Sequence, residues 1–359
     1  MLGVVARRPA RARRIRRLIS VPTLPVTVSE FAFELELCAR LEEHGDGLVA
    51  RQLGGGVAEP GGRILDIVCV DPGPEFEDRV AITSETIPDA AIESAVGTGQ
   101  ARYWKDAFDC HPERARSATE RALEIGFFER DHSASAASSR EYVRQVARYP
   151  DWYDRIVGIE NKPDLGRPGD LEAQLRTDVS LALVDEVVLA TESYVTRARL
   201  HRLPEAVGVW RLHRDGADAG RSLEIEVLRE PTPLAVAEPG IEPLESHPGR
   251  TEIAPVSPAA KARARRRLAE RAYGKGWRTY DFPDCVACRL DDASGATLPY
   301  CEWNDRVINA GSECGCACPG YEAASATAVD LEAERDRRTS WEAEPSGKRR
   351  RQSGLDRFG

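Results

Sequence analysis

Residues 154–191 read DRIVGIENKPDLGRPGDLEAQLRTDVSLALVDEVVLAT, and this stretch decides the fold. DRIVGIENK (154–162) has the short apolar run of a strand. GDLEAQLRTDVSLAL (169–183) sets Leu171, Leu175, Val179 and Leu183 on one stripe of a capped helix. EVVLAT (186–191) is a continuous apolar run, the pattern of a strand buried on both faces. Downstream, a helical stretch over 193–203 leads to another buried strand, AVGVWRL (206–212). Upstream, RILDIVCV (63–70) and GLVARQL (47–53) read as strands. A helix precedes them, from about Ser29 as N-cap to His44, with Gly45 as its stop. The order α-β-β-β-α-β, then α-β, predicts an α/β fold around a mixed sheet.

Two acids and a lysine stand where buried strands should be apolar. Asp66 interrupts ILDIVCV, and Glu160 and Lys162 end the strand DRIVGIENK. Burial of an unpaired charge is costly, so these side chains must reach solvent, a partner or a ligand. On the first helix Phe33, Leu37 and Leu41 define the inward stripe, and Glu34 falls at its edge beside Leu41. Such a carboxylate calls for a cation or a metal.

This grouping resembles the PD-(D/E)XK nuclease superfamily over roughly residues 30–66 and 154–212. FELELCARLEEHG, LVARQL and LDIV resemble the opening of archaeal Holliday-junction resolvases. DLEAQL followed by EVVLAT resembles the next helix and strand of RecB-type members. The resemblance implies a restriction-endonuclease-like α-β-β-β-α-β core in an α/β protein. It matches Glu34 to the helical acid, Asp66 to the motif aspartate, Glu160 and Lys162 to the E-x-K pair, and Gln174 to the helical glutamine. It further implies Mg²⁺ or Mn²⁺ on Asp66 and Glu160, with DNA as substrate and repair, replication or recombination as the setting. Leu65 stands where the motif has proline, Pro163 follows the lysine, and 94 residues separate Asp66 from Glu160. The alternative is a catalytically inactive nuclease fold that binds nucleic acid as an adaptor. The whole chain also resembles an uncharacterised family of haloarchaeal proteins.

The long gap holds an inserted subdomain, 72–150, dividing the core into 26–71 and 151–228. A helix (Pro112–Ile125), FFERD, a small-residue loop and REYVRQVA follow one another. That order fits a winged helix or a plain helix-hairpin. Residues 229–258 are proline-rich without periodicity and read as a linker. A basic helix (Ala259–Tyr273) and a cysteine cluster make up a module over 259–322, and 323–359 reads as a disordered tail. The arginines of KARARRRLAER either contact phosphate or form a solvated face.

Six of the nine cysteines lie between Cys285 and Cys318. Cys285 and Cys288 form a CxxC, with Cys301, Cys314, Cys316 and Cys318 beyond. This spacing predicts a structural zinc held by Cys285, Cys288 and Cys301 with Cys318 or Cys314, Cys316 ranking last. The alternative is a 4Fe–4S cluster that joins Cys38 to three late cysteines. Cys69 and Cys110 read as structural.

The chain ends KRRRQSGLDRFG, with Gln352, Leu355 and Phe358 at three-residue spacing. In a 3₁₀ turn Leu355 and Phe358 project together. This resembles the clamp-binding peptide of replication and repair proteins and implies the sliding clamp (PCNA) as a partner. Gly359 stands where a second aromatic is frequent.

Composition bounds the rest. Lys+Arg is 50 but only five are lysine, against 59 acids, which suits a GC-rich, salt-adapted source. Residues 1–25 hold seven arginines and no acid, and read as a disordered basic extension or a misassigned start. The remaining acidic excess argues against broad adhesion to nucleic acid but leaves room for a local basic groove. No run approaches 18 apolar residues and no secretion signal is legible, so neither membrane insertion nor export is expected and the setting is cytoplasmic.

Overall fold

A computed structural model describes residues 29–338, apart from 46, 60, 133–139, 168, 215–222, 292–295 and 326–328. The basic extension and the clamp-like peptide lie outside the described residues. Helix α1 (Glu30–His44) starts where the Ser29 hydroxyl accepts from the Ala32 amide and stops at Gly45. Strands β1 (Leu48–Gly54) and β2 (Ile64–Pro72) follow. The insertion comprises α2 (Phe76–Val80), α3 (Asp89–Ile92), β3 (Arg102–Tyr103), a 3₁₀ turn (Trp104–Asp106), α4 (Pro112–Glu124), β4 (Phe128–Arg130) and β5 (Tyr142–Gln145). The main fold resumes with β6 (Tyr153–Asn161), α5 (Leu171–Leu181), β7 (Glu186–Thr191), α6 (Arg197–Leu200), β8 (Gly208–Arg214) and β9 (Leu223–Arg229).

The central sheet is mixed, in the order β1-β2-β6-β7-β8-β9. Strand β2 is antiparallel to both neighbours, β6, β7 and β8 are parallel, and β9 is antiparallel to β8. The two parallel pairs are reached by the α5 and α6 crossovers, as parallel pairing requires. On one face α5 and a later helix, α7 (Pro258–Lys275), bury Leu65, Val68, Leu175, Leu268 and Tyr273. On the other, α1 packs Phe33, Leu37 and Cys38 against Ile67, Ile159 and Val188. The insertion has its own core around Trp104, Phe127, Phe128 and Val143, and its sheet order is β3-β5-β4.

Three expectations about the C-terminal half need correction. Residues 229–258 are not simply a linker, for β10 (Gly240–His247) and β11 (Arg250–Val256) form a hairpin. Pro243 and Pro255 hid it, but a two-stranded ribbon leaves each strand an unpaired edge where proline is tolerated. Glu242, buried there, accepts from the amides of Val57 and Ala58 at 2.9 and 2.6 Å and ties the hairpin to the β1–β2 loop. Gly240 abuts the Leu181 carbonyl so closely that a Cβ would lie 2.3 Å from it. Second, the basic helix belongs to the sheet core rather than to the cysteine module. Lys261, fully buried, donates to the carbonyls of Leu181 and Ala235, and Arg265 pairs with Asp185.

Third, disorder does not begin at 323. Past β12 (Cys288–Asp291), β13 (Leu298–Cys301), β14 (Arg306–Val307) and α8 (Ala310–Glu313), a helix α9 spans Leu331–Arg338. It is held by a buried ionic link: Arg278 donates to Glu334 and, doubly, to Glu42 of α1. No apolar period announces that helix. Among the described residues no helix is long and apolar enough to cross a membrane.

Candidate functional site

Register builds the site. Ile67 of β2 pairs with Ile159 of β6, so one step further Asp66 stands level with Glu160. Glu34 enters from α1 and accepts from Arg51 Nε at 2.6 Å, Gln52 Nε2 at 2.9 Å and Asn161 Nδ2 at 3.0 Å. Asp66 accepts from the Asn161 amide at 3.0 Å and, at 3.5 Å, from the same Gln52 nitrogen. Gln52 and Asn161 therefore join Glu34 to Asp66. Glu160 accepts from Arg63 Nη2 at 2.5 Å, and Arg63 is bidentate on Asp178 of α5 at 2.9 and 2.7 Å. Lys162 lies two residues past Glu160 and donates to Glu30 at the start of α1.

Of the five residues matched to the nuclease motifs, Glu34, Asp66 and Glu160 form one neighbourhood. Lys162 stands at its border, on Glu30, whose charge reaches Asp66. Gln174 is half-buried on α5 with no side-chain hydrogen bond among the described residues; one turn further on, Asp178 is the α5 side chain that enters the cluster.

The electrostatics are strained. Burial, then the charge of Asp66, pushes the Glu160 carboxyl up to about 7, and Arg63 offsets this only in part. Asp66 is raised too, chiefly by burial. Glu34 and Asp178 are raised by burial against the pull of Arg51 and Arg63 respectively. For Arg63, burial alone would lower the guanidinium, but Asp178 and Glu160 outweigh it. Four buried or half-buried acids thus share two buried arginines. The backbone is strained as well: Gln52 has φ 54°, a left-handed conformation that costs roughly 1–2 kcal/mol outside glycine. It is in that conformation that its amide reaches both Glu34 and Asp66.

Arg51, Gln52, Asn161, Arg63 and Asp178 were not singled out from sequence. Asp178 carried a usable signal, standing three residues after Leu175 beside the apolar stripe, the same signature as Glu34. Arg63, a lone cation bordering a buried strand, carried a weaker one.

The cysteine region forms a second candidate site. β12 and β13 set Cys288 level with Cys301, and Cys285 bridges to Ala323. Burial, then the neighbouring thiols of Cys314, Cys301 and Cys285, pushes Cys288 up to about 11. Cys314 is raised likewise to about 11, by burial and then by Cys301, Cys285 and Cys318. Cys316 is exposed and all nine thiols are free. Among the described residues no three of these sulfurs lie within 4.8 Å of one another. Cys38 is buried in the α1 core, where the charges it feels come from Glu34, Arg51, Cys69 and Glu42, not from the late cysteines. Among the described residues, the one trio of ligand atoms within 4.8 Å is Glu245, His247 and Glu252 on the β10–β11 hairpin, where both acids are exposed.

A family profile described as a family of unknown function (DUF5787) matches residues 48–323. No curated protein and no solved structure matches the chain.

Proposed function

The chain belongs to the DUF5787 family, and we propose that it is a metal-dependent DNA nuclease with a PD-(D/E)XK-like core. The observation that carries this reading is the placement of Asp66 and Glu160 level on adjacent strands, each with its carboxyl raised by burial and, at Glu160, by the other's charge. The element order α1-β1-β2-β6-α5-β7 around a mixed sheet supports it.

The donors fit a hard divalent cation. Two carboxylates that repel each other in a partly desolvated pocket gain from a shared positive charge. A Mg²⁺ or Mn²⁺ ion there supplies Lewis-acid polarisation of a phosphate oxygen and of water. The chain does the rest. Asn161 and Gln52 fix the Asp66 carboxylate, Arg51 and Gln52 fix Glu34, and Arg63 bridges Asp178 and Glu160. Lys162 exchanges Glu30 for the phosphoryl oxygens and orients the attacking water. On its cysteine spacing the region would hold one structural zinc on Cys285, Cys288 and Cys301 with Cys314 or Cys318, whose sulfurs would have to draw together around it. The C-terminal peptide with Gln352, Leu355 and Phe358 is proposed, on sequence alone, to bind the sliding clamp.

One observation favours a second reading. Arg63 already compensates Glu160, as it would in an inactive fold kept for binding. The insertion's order of helix, strand, helix, strand, strand with sheet order β3-β5-β4 resembles a winged helix, which supports nucleic-acid binding under either reading.

The full chain in high salt, with Mg²⁺ or Mn²⁺, is expected to cut labelled duplex, branched or single-stranded DNA. Asp66→Ala and Lys162→Ala should abolish cutting while circular dichroism stays native. Equal activity in both variants would expose a contaminant and end the nuclease proposal. Binding without cutting would favour the inactive fold.

A further inference from the structure

A cleft of about 360 Å³ lies between α4 of the insertion and α7 of the main fold. Arg114 of α4 and Arg267 and Arg271 of α7 line it over a floor that includes Ile87 and Ala118. The side chains of the three arginines make no hydrogen bond or ion pair among the described residues. The acids in the cleft wall do not supply the missing partners. Asp89 is engaged by Arg266 at 2.5 Å. Glu270 accepts from Arg79 Nε and Nη2 at 2.8 Å, from Tyr149 at 3.0 Å and from the Ile87 amide at 2.9 Å. The cleft keeps three uncompensated positive charges.

The cleft is also held in place. Arg79, fully buried, joins α2 of the insertion to Glu270 and stacks over the Tyr273 ring at 4.0 Å, which anchors the insertion to α7. It also points somewhere. Arg267, Arg271 and Lys275 follow at four-residue spacing, each step advancing about 6 Å along the helix. Arg271 lies against Gly54 in β1. Lys275 donates to the carbonyls of Arg51 and Gln52 at 2.9 and 2.8 Å, beneath the side chain that holds Asp66. A row of cations thus runs from the cleft to the rim of the acidic site, while Arg265 and Arg266 of the same helix are spent on Asp185, Asp89 and Glu93.

We propose that the α4–α7 cleft binds the phosphate backbone of DNA and leads it along Arg267, Arg271 and Lys275 towards Asp66 and Glu160. That the polyanion is DNA rests on the nuclease-fold reading; the cleft itself rests on the three unpartnered arginines. Guanidinium forks without protein partners suit phosphate oxygens, which they engage bidentately.

The test uses the full chain carrying Asp66→Asn, so that cutting does not intrude, with fluorescein-labelled duplex and single-stranded DNA in a salt titration. Each lost phosphate contact lowers the slope of log K against log salt by about 0.9 for duplex and about 0.7 for single strands. Arg114→Ala/Arg267→Ala/Arg271→Ala should therefore weaken binding tenfold or more and reduce the slope by about two to three. The triple lysine variant should recover most of both. Unchanged affinity and slope in the alanine variant, or no DNA binding by the parent, would overturn the proposal. The two readings separate cleanly. Arginine-dependent binding by a wild-type chain that never cuts leaves the cleft standing and removes the nuclease. Cutting that ignores the arginines does the reverse.

Discussion

Replacing Glu160 by glutamine should make the protein more resistant to alkaline pH, not less. Glu160 is 6% exposed and its carboxyl is pushed up to about 7 from an ordinary 4.5. A native group that holds its proton more tightly than the unfolded chain adds stability that is fully present below about pH 4.5 and lost as pH rises through about 7. A shift of roughly 2.5 units corresponds to about 3 kcal/mol, an upper figure because Asp66 titrates with it. Glutamine has nothing to lose over that range. At the acid end Glu160→Gln gives up one charge-assisted bond from Arg63, whose two bonds to Asp178 persist. Relative to wild type, its stability should climb by up to about 3 kcal/mol between about pH 5 and pH 8, several degrees in Tm. The assay is thermal unfolding at constant high salt with chelator, at several pH values. Adding Mg²⁺ or Mn²⁺ at about pH 8 should then raise the Tm of wild type and not of the variant, since binding to the native state alone stabilises it. Parallel pH profiles for the two proteins would refute the claim of a strained carboxylate pair.

Elemental analysis of the full chain should find about one zinc and no absorbance near 400 nm, and Cys288→Ser should lose the metal; a brown, iron-containing protein would reverse the assignment. A peptide covering 345–359 should bind the cognate sliding clamp at about micromolar Kd and lose several-fold with Phe358→Ala, and silence at hundreds of micromolar would make the tail a spacer.

The parts of the fold legible in the sequence are those where local pattern and burial agree. Ser29 and Gly45 bound α1 because cap chemistry is local, and ILDIVCV and EVVLAT declare buried strands because both of their faces are apolar. Asp66 and Glu160 stand out for the opposite reason, as charges inside such runs. What stayed hidden is held by contacts distant in sequence. Arg63 gains its meaning from Asp178, 115 residues away. Helix α9 has no apolar stripe, and Glu334 is anchored by Arg278, 56 residues earlier. The β10–β11 hairpin was masked by prolines that its open edges accept. Gln52 sits in an ordinary strand pattern, and only the fold reveals the left-handed twist that turns its amide onto two acids.

Arg63 does not by itself close the site. Its two-pronged partner is Asp178, while Glu160 contributes only Oε2 to it. Glu160 Oε1 makes no hydrogen bond among the described residues, and Asp66 is held mainly through one oxygen, by the Asn161 amide. A cation bound as proposed would take Glu160 Oε1 while the guanidinium stays on Asp178. Lys162 is equally available. Its present partner Glu30 is 60% exposed, and a surface pair of that kind contributes at most about 1 kcal/mol, less in salt. A phosphate oxygen of a bound substrate, as proposed, could replace Glu30 at little cost. Arg51 thus pairs with Glu34 and Arg63 is shared by Asp178 and Glu160, while Asp66 has no ion pair among the described residues.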